Sequence, residues 1–256
     1  MSVLAVIPAR YASTRFPGKP LALLGGRSII SRVWEQVSEM ACVDEAIVAT
    51  DDERIYSHIN ELAGREAAMM TSSAHPSGTD RCGEVLRRLE GLGEHYDVVV
   101  NIQGDEPFVS RQQIELLVES FRDRFIEIAT LRTPIRSREE LFSPNNVKVV
   151  CNKLGRALYF SRQPIPYRRG VDETAWLDGG EYYKHVGVYA FRSEALKEVC
   201  RLEPSMLEQC EKLEQLRWLE AGFQIAVKST DHANIGIDTP EDLAEAEKAL
   251  NVQWKV

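Results

Sequence analysis

Short, largely apolar runs alternate with helical patterns through the first half of this chain. Val3–Ile7, Ala46–Thr50, Ala67–Met70 and Val98–Ile102 have the length and content of strands buried on both faces. Between them Ile29, Ile30, Val33, Trp34 and Val37 recur at helical spacing, as do Ile55, Ile59 and Leu62. Val85, Leu86 and Leu89 extend the pattern, and Ile114, Leu117, Val118 and Phe121 repeat it. Strand–helix–strand repetition predicts right-handed crossovers and a mainly parallel sheet covered by helices, an α/β fold. In such sheets a ligand binds beyond the carboxyl ends of the strands. Three polar segments, 8–19, 71–81 and 103–107, follow predicted strands and should share that rim.

The second half reads differently. Val147–Cys151 and Ala157–Phe160 form an expected hairpin around residues 152–155. Residues 164–183 hold prolines, glycines and charges without periodicity, which suits a mobile flap or an interface segment. Val186–Phe191 and Ile225–Lys228 are further strands. Ser205 and Glu208 have capping-box spacing, and one helix is expected beyond them through Leu207, Cys210, Leu213, Leu216 and Leu219 to Gly222. Thr239 and Pro240 open a last helix as N-cap and first helical residue. The 256 residues, 44% hydrophobic and 27% charged, fit one globular domain over 1–256.

Charge narrows the function classes. The formal net charge of −8 argues against a general nucleic-acid or membrane-surface binder. Yet the first carboxylate is Glu35, and Arg10, Arg15, Lys19, Arg27 and Arg32 all precede it. An acidic protein with an acid-free basic stretch suits local handling of a small polyanion. Five cysteines without CxxC spacing suggest neither a zinc site nor a disulfide framework. The apolar start is interrupted by Pro8 and followed by Arg10, so it is expected to be a strand rather than a signal segment. Both readings place the protein in the cytoplasm.

The rim segments carry the chemistry. Residues 8–21 leave a strand with small residues and three cations. Backbone N–H groups, Arg10, Arg15 and Lys19 are what a triphosphate requires, although a solvated basic loop would look similar. Pro20 after Gly18-Lys19 excludes a Walker A loop. Gly91 and Gly93 lack the third glycine of a dinucleotide fingerprint. Asp105, ending the fourth strand, suits magnesium, which takes one or two carboxylates plus phosphate oxygens and water. Asp238 is a second isolated acid before a helix, and by itself reads as an ordinary turn. Nothing in the spacing says that the two meet. Residues 75–81 resemble a ligand loop entering a helix N-terminus, or else a start capped by Thr79. No G-x-S-x-G elbow or H-E-x-x-H helix supports a hydrolase.

Together these stretches resemble the 3-deoxy-manno-octulosonate (Kdo) cytidylyltransferase family. The matching segments are IPARYASTRFPGKPL at 7–21, VATDDE at 48–53, SGTDR at 77–81 and NIQGDEP at 101–107. They continue with ALYFSRQPIP at 157–166, HVGVYAFR at 185–192, LEQLRWL at 213–219 and GIDTPEDL at 236–243. The resemblance implies a three-layer α/β/α, Rossmann-like nucleotidyltransferase fold with a sugar-binding and dimerisation region over 150–222, and a homodimer. It implies the reaction CTP + Kdo → CMP-Kdo + pyrophosphate, which activates the sugar for lipopolysaccharide assembly. Arg10, Arg15 and Lys19 would hold the triphosphate, while Ser77, Gly78 and Gln103 would line the cytosine and ribose side. Asp105 and Asp238 would bind Mg2+ and, with Lys19, form the catalytic set. Arg162, His185, Tyr189, Glu214 and Gln215 would face the sugar, with Arg162 the foremost partner. No residue stands out as base for the anomeric hydroxyl.

Rival readings are a cytidylyltransferase for 8-amino-Kdo or sialic acid, a non-catalytic nucleotide-binding module, and a dehydrogenase. Ala12-Ser-Thr-Arg15 leading to Pro17-Gly-Lys-Pro20 favours the Kdo type over the sialic-acid type. A nucleotide sensor would have no need of both Asp105 and Asp238. The missing glycine fingerprint disfavours a dehydrogenase. The segment 167–183 matches no family motif, and Lys212 reads as a solvated helix charge.

Overall fold

Strand β1 (Val3–Ala9) is buried at every position but Pro8. A strand so placed needs apolar cover on both faces, and helices supply it. A computed structural model describes residues 1–12, 15–232 and 236–253 of the chain. They form two compact units, Met1–Glu115 with Asn234–Val256, and Leu116–Ala233. The second unit takes in the 150–222 stretch.

In the first unit β1 leads through a 3-10 turn at Lys19–Leu21 and a two-residue hairpin, β2 (Leu23–Leu24) and β3 (Arg27–Ser28). The chain continues as α1 (Ile29–Ser38), β4 (Glu45–Thr50), α2 (Glu53–Ala63) and β5 (Ala68–Met70). Then follow α3 (Gly78–Gly91), β6 (Val98–Asn101) and α4 (Arg111–Ser120), which crosses into the second unit. Strands pair in parallel in the order β6-β1-β4-β5. All four strands and four helices expected from the pattern are present. Polar N-caps open the helices where the apolar stripes begin: Ser28 and Asp52 accept hydrogen bonds from the amides of Ser31 and Arg54. At α3 the cap is Ser77, which accepts from the Asp80 amide, and not Thr79.

The second unit is built on β7 (Ile128–Pro134), a strand missing from the sequence reading. Thr130 and Arg132 interrupt its apolar run, yet Ile128, Ala129, Thr130 and Leu131 are all fully buried. After α5 (Arg138–Phe142), the hairpin of β8 (Lys148–Cys151) and β9 (Ala157–Ser161) forms as expected. β10 (Tyr183–Arg192) runs antiparallel to β7, with an irregularity between Val186 and Tyr189. Beyond α6 (Ser193–Val199) comes a correction: the single helix expected to Gly222 is two, α7 (Met206–Glu211) and α8 (Gln215–Glu220). Lys212 breaks it by adopting a left-handed conformation, φ 54°. It is therefore a helix terminus rather than a mid-helix charge. β11 (Ile225–Ser229) lies parallel to β7.

The segment 164–183, expected as a mobile flap or interface, carries its own aromatic core. Trp176 is buried, stacks on Tyr182 at 6.2 Å, and meets Phe142 at 5.7 Å and Tyr167 at 5.2 Å. Arg168 donates to the carbonyls of Ala175 and Trp176. The chain ends in the first unit with α9 (Pro240–Gln253), where Thr239 and Asp242 cap each other reciprocally. Among the described residues, no helix is long and apolar enough to cross a membrane.

Candidate active site

The carboxyl ends of β1 and β6 open onto a cleft of about 290 Å³ in the first unit. Arg10, Arg15, Lys19, Gly78, Gln103, Asp105 and Asp238 all line it. The three polar segments thus share one rim, and the GIDTP segment joins them. The Ile237 amide donates to the Asp105 carbonyl at 3.0 Å, which ties the two acid-bearing loops together. Ser13 and Thr14, within the basic loop, lie outside the described residues.

Lys19 is the hinge of the arrangement. Gly18, at φ 73°, turns the chain so that Lys19 starts the 3-10 turn with its side chain largely buried. Its Nζ lies 2.5 Å from Asp105 Oδ2 and 3.2 Å from Asp238 Oδ1. Arg15 takes the other Asp238 oxygen at 3.1 Å. Two carboxylates far apart in sequence, one mid-chain and one near the C-terminus, therefore converge on one cation. A buried ammonium requires such partners, because desolvation without them is costly.

Backbone proximity shapes the rest of the cleft. A Cβ on Gly104 would come within 2.8 Å of the Pro8 carbonyl oxygen, so glycine is required there. The sequence analysis assigned no role to Gly104, because the obstacle is the backbone of another strand. A Cβ on Gly78 would lie 3.3 Å from the Pro8 ring. Ser77 lies beside the cleft residue Gly78, with its hydroxyl engaged by Asp80. Arg10 donates to the His75 carbonyl.

The sugar-site candidates all belong to the second unit. His185 accepts from or donates to Thr130 Oγ1 at 2.9 Å and packs edge-on against Phe160. Burial pushes its pKa down to about 3, so the ring is neutral at physiological pH. Tyr189 sits 5.2 Å from His185 and 5.0 Å from Trp218, centroid to centroid. Burial, with the Glu214 charge adding to it, raises the Tyr189 pKa well above its ordinary value. The Tyr189 hydroxyl and the Trp218 indole N–H are both buried without a hydrogen-bond partner. Sequence reading did not single out Trp218. Gln215 is buried at the start of α8, and Glu214 is ion-paired to the buried Arg217 at 3.3 Å. Arg162 differs from the others: its guanidinium donates to the carbonyls of Glu211, Pro144 and Lys212. Its observed contacts are structural ties to the α7 terminus.

A cytidylyltransferase family model matches residues 4–229. A 3-deoxy-manno-octulosonate cytidylyltransferase of Phocaeicola vulgatus is 52% identical over 253 residues, covering 98% of both chains. The chain belongs to the 3-deoxy-manno-octulosonate cytidylyltransferase family. A further member, from Parabacteroides distasonis, is 51% identical and covers 96% of this chain and 97% of its own. Among solved structures, a CMP:2-keto-3-deoxy-manno-octonic acid synthetase complexed with CTP is 40% identical, with a TM-score of 0.89 over 99% of this chain and 100% of that one. A 4-diphosphocytidyl-2C-methyl-D-erythritol synthase from Anaerococcus prevotii shares the fold alone, at 18% identity and a TM-score of 0.61 over 98% of this chain and 96% of that one. The α/β nucleotidyltransferase fold, a mixed and mostly parallel sheet with helices on both sides, is thus shared with these cytidylyltransferases.

Proposed function

We propose that this protein transfers a cytidylyl group from CTP to Kdo, releasing pyrophosphate. The observation that carries this reading is the convergence of Lys19, Asp105 and Asp238 in one cleft with Arg10 and Arg15, in a chain of this family. The anomeric hydroxyl oxygen of Kdo forms a bond to the α-phosphorus. The bond from that phosphorus to the bridging oxygen of pyrophosphate breaks, and the hydroxyl proton is released. Charge grows on the phosphoryl oxygens and on the leaving group. Cations held in place before the reaction stabilise that charge better than they stabilise bound CTP. Arg10, Arg15 and Lys19 fill this role.

Asp105 and Asp238 fit Mg2+, since two carboxylates already meet at one cation and hard oxygen donors suit that ion. Asp105 and Asp238 would hold the ion, and a shell of one or two carboxylates would leave room for phosphate oxygens and water. Bound there, Mg2+ supplies charge neutralisation at the triphosphate. Ser77, Gly78 and Gln103 sit on the nucleoside side. In the second unit, His185, Tyr189, Glu214 and Gln215 recognise the sugar acid. The two orphaned donors beside them, on Tyr189 and Trp218, suit a polyhydroxylated ligand rich in acceptors. Arg162 supports that cluster through the chain at 211–212. We further assign the protein to the cytoplasm, where CTP is made, and to a homodimer.

The direct test is pyrophosphate release with CTP, Mg2+ and a panel of acid sugars. Turnover with Kdo and none with sialic acid is expected. Turnover with 8-amino-Kdo alone changes the substrate and leaves the chemistry standing. Full turnover by both Asp105→Ala and Asp238→Ala would remove these carboxylates from the catalytic set, and no pyrophosphate release by the wild type with any acid sugar would end the enzymatic reading.

A further inference from the structure

One largely buried carboxylate, linked to the cleft residue Arg10 through His75, has no part in the mechanism above. Glu84 lies on α3, two turns into the helix, with 14% of its side chain exposed. Its Oε2 accepts the Ser72 amide at 2.9 Å and lies 2.5 Å from His75 Nε2. Its Oε1 meets Arg88 at 2.5 Å, and Arg88 in turn donates to the Met70 carbonyl. Burial opposes charge on this group, but the Ser72 amide, His75 and Arg88 outweigh it and hold its pKa below the usual carboxylate range. An ionised carboxylate only accepts, so the proton lies on His75 Nε2.

The backbone of His75 holds a residue of the cleft. Its carbonyl accepts Arg10 Nη2 at 2.5 Å, and Arg10 lines the cleft together with Gly78, three residues beyond His75. Arg10 is otherwise an exposed, long side chain on a loop. A guanidinium free to wander loses conformational freedom when it grips a phosphate, and a fixed one does not. The chain Glu84–His75–Arg10 therefore orders a cleft cation before any ligand arrives. Helix capping does not explain it, since Ser77 already caps α3.

We infer that Glu84, acting through His75, is a positioning residue for Arg10 and sets the affinity of the cleft for the nucleotide triphosphate. This rests on the CTP-binding assignment given above. A plain loop-to-helix tie would stabilise the fold and leave CTP affinity untouched once folding is intact.

The test is a double-mutant cycle on CTP dissociation constants, measured by calorimetry on the full chain without sugar. Glu84→Gln keeps the volume and removes the charge. It should weaken CTP binding about tenfold, with kcat changed less than about twofold. In an Arg10→Ala background the same change should add almost nothing. His75→Gln, which keeps a donor at the Nε2 position, should restore near-wild-type affinity, whereas His75→Leu should match Glu84→Gln. If Glu84→Gln melts too low to measure, the His75 pair carries the test alone. Equal weakening by Glu84→Gln with and without Arg10, or His75→Leu binding CTP as tightly as wild type, overturns the inference. Wild-type protein that binds no CTP would overturn the parent assignment as well, so the two failures are told apart.

Discussion

Lys19 illustrates how a single residue can hold two functions in tension. Its ammonium ties Asp105 to Asp238, and it is also the cation nearest the proposed metal ligands. Any divalent cation must compete with it for those two carboxylates. Lys19→Ala should therefore bind Mn2+ more tightly than wild type when no nucleotide is present, read by the free Mn2+ resonance signal. The same variant should lose turnover by on the order of 10²- to 10³-fold while CTP affinity falls much less, because its contribution is made to developing charge. Loss of CTP affinity with unchanged kcat would move Lys19 out of the catalytic set. Arg15 is largely exposed, so solvent screens its pair with Asp238, which is correspondingly weaker support for the fold.

At the scale of elements, the α7–α8 break shows local strain serving placement. Lys212 occupies a left-handed conformation that a residue with a Cβ disfavours, and its amide still caps Glu208. The break starts α8 at Gln215 and places Glu214 at its N-terminal edge, where Arg217 pairs with it. Lys212→Gly should raise stability by roughly 0.5–1 kcal/mol, the relief of the left-handed penalty less the added freedom of glycine when unfolded. Chemical denaturation of the two proteins reads this directly. A loss of stability would mean that the Lys212 side chain makes a contact worth more than the strain. The capping box at Ser205 and Glu208 was legible because its residue types and spacing are local. The break was not, since Lys is a good helix former and only the surrounding packing forces it out of the helix.

Across the whole molecule, charge and burial are distributed unevenly. The net charge of −8 hides a locally basic cleft, since Arg10, Arg15 and Lys19 line it while Arg27 and Arg32 lie elsewhere. Arg27 pairs with Glu35, and Arg32 holds the carbonyls of Leu24 and Gly25. Burial of His185 also makes stability depend on pH. Its pKa is about 3 when folded against an ordinary 6.5, so the unfolded chain takes up a proton that the folded one refuses. Stability from this group is complete above pH 6.5 and falls as pH drops from there toward 3. The melting temperature should decline between pH 7 and pH 5, before the depressed carboxylates such as Glu84 and Asp242 begin to titrate. His185→Gln should flatten that decline, and an equal slope in both proteins would assign the loss to other groups.

Local sequence was enough to specify the alternation of strands and helices in the first half, the caps at Ser205 and Thr239, and the basic loop at residues 10–19. These depend on side-chain period and on neighbours within a few positions. It also carried the family resemblance, through eight ordered segments. Only the packed fold brings Asp105 and Asp238 together at Lys19, because the three residues are far apart in sequence and leave no trace in local spacing. It decided that Gly104 tolerates no side chain, since the obstacle is a carbonyl of another strand. It revealed β7, whose buried Thr130 satisfies its hydroxyl on β10 and so can occupy the core. Polar groups in such places are permitted by partners distant in sequence, and pattern reading cannot see those partners.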